Sequence, residues 1–261
     1  MLRRIIAKFS GGQSAAPAGV IPAGSRVYAV GDIHGRLDLL DNLLRQVEDD
    51  DAVRGPAETT VIFLGDLVDR GPDSAQVVQR LLDLSNRTVH VRFLLGNHEE
   101  VFLKALVGEK GAMPFFIRIG GKQTLLSYGI TEDEYRACDY NALTELLRRQ
   151  VPQSHIDFLN GFEDLIEIGD FAFVHAGVRP GVPLVNQVPG TLRWIRDEFI
   201  NHSGELEKII VHGHTITEEV EEKGWRIGID TGAFATGRLT AMGFEGDMRW
   251  VLQTDAASVG F

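Results

Sequence analysis

Five short polar clusters hold most of the side chains capable of chemistry in this 261-residue chain: Gly31-Asp32-Ile33-His34-Gly35, Gly65-Asp66-Leu67-Val68-Asp69-Arg70-Gly71, Gly96-Asn97-His98-Glu99, His175-Ala176-Gly177 and Gly213-His214-Thr215. Imidazole and carboxylate together suit borderline divalent cations such as Mn, Fe or Zn. Asp32 and His34 stand two apart on an irregular loop, so both can turn toward one metal. Asp66 carries the charge to bridge two metals, and Asn97, His175 and His214 would complete the shell of the second. Two cations about 3.5–4 Å apart hold both an attacking hydroxide and a phosphoryl oxygen. Singly, each fragment also has the composition of a tight turn, and His175 after an apolar run also fits a core histidine. The argument for one site is that all five recur, each directly behind an apolar segment.

Those apolar segments supply the elements that must position the clusters. Arg26–Val30, Thr60–Leu64 and Val89–Leu95 read as strands. Between them Leu37, Leu40, Leu44 and Val47 fall at helical spacing, as do Val77, Val78, Leu81 and Leu82, with Asp73 or Ser74 as the cap. A third helix is expected from about Glu99 to Leu106. The alternation implies parallel crossover units, with a ligand outside the carboxyl ends of the strands. Farther on, Leu165–Ile168 and Phe171–Val174 flank a Gly169-Asp170 hairpin turn. Ile209–Val211, Trp225–Ile229, Leu239–Phe244 and Met248–Leu252 also read as strands, giving an α/β domain with a second, mixed or antiparallel sheet packed on the first. Residues 1–25, rich in Ser, Gly, Ala and Pro from residue 10 onward, read as a flexible lead-in. Residues 26–255 read as one catalytic domain, within which 108–160 form a helical, substrate-selecting insertion.

The ordered clusters resemble the phosphoprotein phosphatase branch of the calcineurin-like metallophosphoesterases, from about Val27 to Leu252. The resemblance implies a four-layer α/β fold, a central β-sandwich of mixed sheets flanked by helices. It implies Asp32 and His34 on one metal, Asp66 between the two, and Asn97, His175 and His214 on the other, with Asn97 also near the substrate phosphate. It makes His98 the general acid, Asp69 its orienting partner and Arg70 a phosphate ligand. A second phosphate-binding arginine is expected before the last histidine motif, at Arg196, with Arg193 as the alternative. His212 shares the strand face of His214 and is read as a supporting or core residue. His175-Ala176-Gly177, Gly213-His214-Thr215 and Asp230-Thr231-Gly232-Ala233 are similar to the bacterial branch, which includes Ser/Thr/Tyr protein phosphatases and symmetrical diadenosine tetraphosphate hydrolases. Retention of Asp69 favours a protein phosphatase acting by direct attack of hydroxide, with the nucleotide hydrolase as the alternative and a non-catalytic metal scaffold as a remote third. The implied cofactors are two divalent ions, Mn2+ first, Fe or Zn otherwise. Phe115, Phe116, Tyr128 and Tyr135 are available to stack on a base, though packing is the simpler role for each.

Composition bounds the rest. The net charge of −11 argues against a broad nucleic-acid interface, leaving a phosphorylated protein or a nucleotide as partner. The basic start, Met1 to Phe9, reads as a frayed terminus. No segment approaches the ~20 apolar residues of a membrane span, so no stable membrane insertion is expected. A single cysteine, Cys138, allows no intrachain disulfide and fits a cytoplasmic setting. With no Cys-x5-Arg run after it, Cys138 reads as an ordinary small residue rather than a nucleophile.

Overall fold

In the first strand Val27 and Ala29 enter one hydrophobic core while Tyr28 and Val30 enter another, so both faces of the strand are covered. The computed structural model describes residues 17–88 and 90–254. Its first half alternates as expected: β1 Ser25–Val30, α1 Leu37–Arg54, β2 Glu58–Phe63, α2 Ser74–Ser85, β3 Val91–Phe93 and α3 Asn97–Val107. β1, β2 and β3 pair in parallel. Two later strands, β9 Thr240–Glu245 and β10 Met248–Gln253, extend the sheet antiparallel on the far side of β1. The second sheet runs in the order β4 Ile166–Ile168, β5 Phe171–Phe173, β6 Ile209–His212, β8 Arg226–Gly228, β7 Glu221–Lys223. It is mixed, with β5, β6 and β8 parallel and β4 and β7 antiparallel at its edges.

The two sheets face each other across one apolar layer. Val27, Ile62, Leu64 and Phe244 of the first meet Phe171, Phe173, Val211 and Ile227 of the second. Behind the first sheet, α1 to α3 pack on Tyr28, Val30, Phe63 and Phe93. They are joined there by residues 112–160, which comprise α4 Ala112–Phe116, a kinked turn over Ile117–Gly121 with Gly120 at φ 121°, α5 Lys122–Ser127, α6 Glu132–Ala137, α7 Tyr140–Gln150 and α8 Gln153–Asn160. Behind the second sheet, Leu192 of α9 Pro189–Trp194 and Phe199 of α10 Asp197–Ile200 cover Ala172, Val174 and Ile210. The result is an α/β fold of four layers, helices outside two mixed sheets. Among the described residues no helix is long and apolar enough to cross a membrane.

Several local expectations differ from the structure. β3 is shorter than its apolar run, and Val89 lies outside the described residues. β7 has no apolar pattern at all; its Glu-Glu-Lys sequence belongs to a charged sheet edge. Neither Asp73 nor Ser74 caps α2 through its side chain, because the Ser74 hydroxyl accepts from the Asp69 amide at 3.0 Å instead. Residues 1–16 of the lead-in lie outside the described residues. Its described end is anchored: Ile21 is fully buried between the sheets, and its amide donates to Gly246 O at 2.9 Å. Val20 N donates to the Asp170 carboxylate at 2.9 Å. One apolar side chain in a small-residue segment is enough to tie the backbone down.

Candidate active site

The clusters lie beyond the carboxyl ends of β1, β2, β3, β5 and β6, so two facing sheets deliver them to one rim. The backbone there is strained. Among the described residues, the non-glycine residues with positive φ are His34 (46°), Asp66 (52°), Asp69 (73°), Arg70 (68°) and His214 (62°). Each costs on the order of 1 kcal/mol and persists only where its surroundings over-determine it. The glycines beside them answer to close approach: a Cβ on Gly96 would overlap the Asp66 carboxylate, and one on Gly65 (φ 100°) would lie 2.6 Å from Gly96 N.

Asp66 is the centre. It is buried, with His34 Nε2 3.6 Å away on one side and His175 Nε2 3.4 Å away on the other. The donor atoms of His34, Asp66 and His98 lie within 4.8 Å of one another, as do those of Asp66, His175 and His214. Asp66 belongs to both groups, the position a bridging ligand needs. His34 Nδ1 donates to Val68 O at 2.8 Å and His175 Nδ1 to Leu64 O at 2.8 Å, so each presents its Nε2 lone pair to the centre. Nε2 of His34 and of His214 are buried with no hydrogen-bond partner. Buried nitrogens so left are costly unless something takes their lone pairs. Burial holds His34 down at about 3 and is the largest cause holding His214 down at about 2. Burial lowers His175 as well, so these rings stay neutral, the state a metal ligand requires. Burial alone would raise Asp66, but the ring of imidazoles around it, His175, His98, His34 and His214, holds its carboxyl below the ordinary carboxylate range. Unpartnered buried lone pairs around one bridging carboxylate fit a pair of divalent cations.

A family model for calcineurin-like phosphoesterases matches residues 25–233. The chain belongs to that family. A symmetrical bis(5'-nucleosyl)-tetraphosphatase of Acidovorax ebreus is 32% identical over 70% of this chain and 51% of its own length. The chain thus spans about half the length of the first curated relatives it matches. An asymmetrical bis(5'-nucleosyl)-tetraphosphatase of Anoxybacillus flavithermus is 26% identical over 82% of this chain and 88% of its own. Among solved structures, one provisionally assigned as a diadenosine tetraphosphatase superposes with a TM-score of 0.61 at 24% identity, covering 92% of this chain and 98% of that one. A cold-active protein tyrosine phosphatase superposes at 0.56 with 18% identity over 93% and 82%. These two likenesses establish the fold.

The calcineurin-like phosphoesterase family uses divalent metals, and the remaining residues can be placed around that centre. Asn97 Oδ1 stands 2.9 Å from His175 Nε2 and 2.8 Å from His214 Nδ1. Asp32 is buried beside the His214 backbone, whose amide donates to its two oxygens at 3.2 and 3.1 Å. Asp32 is not in the first group of close donors; His98 stands there in its place. His98 is committed elsewhere, however. Its Nδ1 donates to Asp69 at 2.7 Å, and Arg70 donates to its Nε2 at 3.0 Å. Burial lowers the affinity of His98 for its proton, but Asp66 and the Asp69 hydrogen bond outweigh it and raise the ring above its ordinary value. Asp69 is itself fixed by Thr124, whose hydroxyl accepts from its amide at 2.9 Å and donates to its carboxylate at 2.6 Å.

The two arginines separate clearly. Arg193 is bound to Asp164 at 2.6 and 3.0 Å and approaches Glu100 at 3.5 Å. Arg196 is exposed, and its charge helps depress His175 and His214. His212 does not share the face of His214. The strand ends at His212, His214 lies beyond it at positive φ, and the His212 ring meets Phe199 edge-on at 5.0 Å.

Besides Thr124, two acidic residues of the site had no role in the sequence reading. Glu99 is fully buried, and its carboxylate accepts from the amides of Asp66 (2.8 Å), Leu67 (2.7 Å), Val68 (3.2 Å) and Gly96 (3.1 Å). It therefore clamps the strained loop that carries Asp66 to the start of α3. Burial and the neighbouring Asp66 push it up to about 7. Asp230, just beyond β8, is buried against Asp32, and burial raises it to about 6. Its position behind an apolar run was the same signal that marked the other five clusters.

Proposed function

We propose that this phosphoesterase cleaves dinucleoside tetraphosphates symmetrically, releasing two nucleoside diphosphates, with two divalent cations, Mn2+ first among them. The observation that carries the chemistry is Asp66 set between histidines whose lone pairs face it, with Arg70, His98 and Asp69 alongside. The substrate rests on the relatives named as bis(5'-nucleosyl)-tetraphosphatases. This reverses the order expected from Asp69, which placed phosphoprotein first and the dinucleotide second.

When bound, the cations supply charge for the phosphoryl oxygens and a nucleophile from water near neutral pH. Asp32, His34 and Asp66 would hold one, and Asp66, Asn97, His175 and His214 the other. Arg70 and the exposed Arg196 bind phosphoryl oxygens through their planar donor forks. As Arg70 turns onto the substrate it leaves His98 Nε2, whose lone pair can then take a proton that Asp66 and Asp69 help retain. Nε2–H donates to the departing oxygen, and Asp69 keeps the ring oriented for that transfer.

The test is product analysis with metal-reconstituted protein offered diadenosine tetraphosphate beside phosphoserine, phosphothreonine and phosphotyrosine peptides. Two ADP per dinucleotide, formed in preference to free phosphate from peptides, is expected. ATP plus AMP would replace the symmetrical assignment, and preferential peptide turnover would return the protein-phosphatase reading to first place.

A further inference from the structure

We propose that the cleft beside Arg70 and Phe234 receives the nucleoside of the leaving group, its base resting on the Phe234 ring; the proposal rests on the dinucleotide reading above. The cleft holds about 520 Å³ and is lined by Arg36, Asp38, Arg70, Pro72, Asp73 and Phe234 among others. That volume lies in the range of small-molecule sites, roughly 300–1,000 Å³.

The cleft opens from the chemistry itself. Arg70 donates to His98 at 3.0 Å, and the same guanidinium carbon stands 4.7 Å over the Phe234 ring. Phe234 in turn meets His34 edge-on at 5.4 Å. An oxygen departing beside His98 therefore leaves along Arg70, and the next surface on that wall is an aromatic ring. Every base has a π-face, so a ring there favours a nucleoside without reading its sequence of donors.

Phe234 is also held ready. It lies in a short helix, α11 Ala233–Thr236, between Gly232 (φ 69°) and Gly237 (φ 71°). Arg36 donates to Ala233 O at 3.0 Å while Asp38 grips its other nitrogens at 2.8 and 2.6 Å. A ring fixed in advance costs less entropy on binding. The charges lining the cleft balance, Arg36 and Arg70 against Asp38 and Asp73, which suits a neutral nucleoside better than further phosphates. The carboxylates can accept from ribose hydroxyls. The aromatic residues nominated from the insertion serve otherwise. Phe116 and Tyr128 are buried in the core, Phe115 packs on Trp194 at 6.0 Å, and Tyr135 lies under Lys122 at 5.2 Å. Phe234 is only half-buried and keeps ring surface to offer.

The experiment compares kcat/KM for diadenosine tetraphosphate and for inorganic tetraphosphate in the metal-reconstituted full chain and in its Phe234→Ala, Phe234→Leu and Phe234→Trp variants. The ratio of the two substrates should fall about 5- to 150-fold in Phe234→Ala, the range for loss of one base stack, mainly through KM, and Phe234→Trp should restore it. The tetraphosphate rate in each variant reports whether His34 and the metals are still placed, and Phe234→Leu gives the same comparison should the alanine variant not fold. An unchanged ratio in a chain that prefers the dinucleotide would overturn the subsite and leave the dinucleotide reading standing. A parent chain that prefers phosphopeptides would overturn both.

Discussion

Replacing His98 with asparagine should damage different substrates unequally, and the inequality follows from what leaves. His98 is buried, with Nδ1 tied to Asp69 at 2.7 Å and Nε2 directed at Arg70 at 3.0 Å. A positioned acid of this kind contributes about 10²- to 10⁴-fold, or about 2.7–5.4 kcal/mol, when the departing oxygen is strongly basic. A serine alkoxide is such an oxygen. The oxygen leaving a tetraphosphate belongs to a phosphate whose last proton has a pKa of about 6, so it departs with little help. His98→Asn should therefore cost about 10²-fold or more in kcat on a phosphoserine peptide and less than about tenfold on diadenosine tetraphosphate. Steady-state kinetics at saturating metal, with bound metal counted in parallel, measures both. Equal losses on the two substrates, with metal content reduced, would refute the acid assignment. His98 would then be acting as a ligand in the group it forms with His34 and Asp66.

Asp69→Asn should move the basic limb of the kcat/KM profile to lower pH. Asp69 helps raise His98, activity that needs the protonated ring is present below its pKa, and removing the carboxylate lowers that pKa; a limb that stays in place would show that His98 does not titrate in it. Glu99→Gln turns an amide N–H toward backbone donors that now face a carboxylate, leaving at least one buried amide unpaired at about 1–3 kcal/mol. Its urea midpoint should fall, and an unchanged midpoint would remove Glu99 as the clamp. Mn2+ should stabilise chelated protein by about 2.7 kcal/mol for each site at a hundredfold excess over Kd, and so raise its thermal midpoint. Calorimetry should find two ions per chain, and a single ion would contradict Asp66 as a bridge. Arg196→Ala should weaken inhibition by inorganic phosphate with little change in stability, whereas Arg193→Ala should destabilise the fold by leaving the half-buried Asp164 carboxylate without its two hydrogen bonds from Arg193; the reverse pattern would exchange their roles.

The gathering of five polar clusters on one rim was legible because each stands directly behind an apolar run that becomes a strand, although each cluster alone also reads as a turn. The parallel half of the first sheet was legible because apolar runs alternate with segments at helical spacing, and the four-layer arrangement followed from the resemblance. What could not be read was whatever depends on contacts between distant segments. Thr124 reaches Asp69 across 55 residues, and nothing in Lys122–Ser127 distinguishes that threonine from an ordinary helical one. Glu99 looks like any acidic residue in the first turn of a helix. Its role as acceptor for four amides exists only because the β2 loop folds over the N-terminus of α3.

That same contact explains why the loop tolerates its strain. Asp66, Asp69 and Arg70 all sit at positive φ within five residues. The Glu99 carboxylate satisfies three successive amides of this stretch, and Ser74 and Thr124 take the next, at Asp69. The Arg70 amide then donates to Gly120 O at 3.1 Å, at the kink between α4 and α5. Residues 108–160 therefore do more than flank the site. Through Gly120 and Thr124 they hold the backbone of Arg70 and Asp69, so a change in the insertion reaches the phosphate ligand and the acid's partner without touching substrate. A substitution such as Gly120→Ala, at φ 121° with its Cβ 2.8 Å from the Arg70 side chain, should lower kcat/KM while leaving metal stoichiometry at two. Loss of a metal in that variant would mean instead that the whole loop, Asp66 included, moves as one piece.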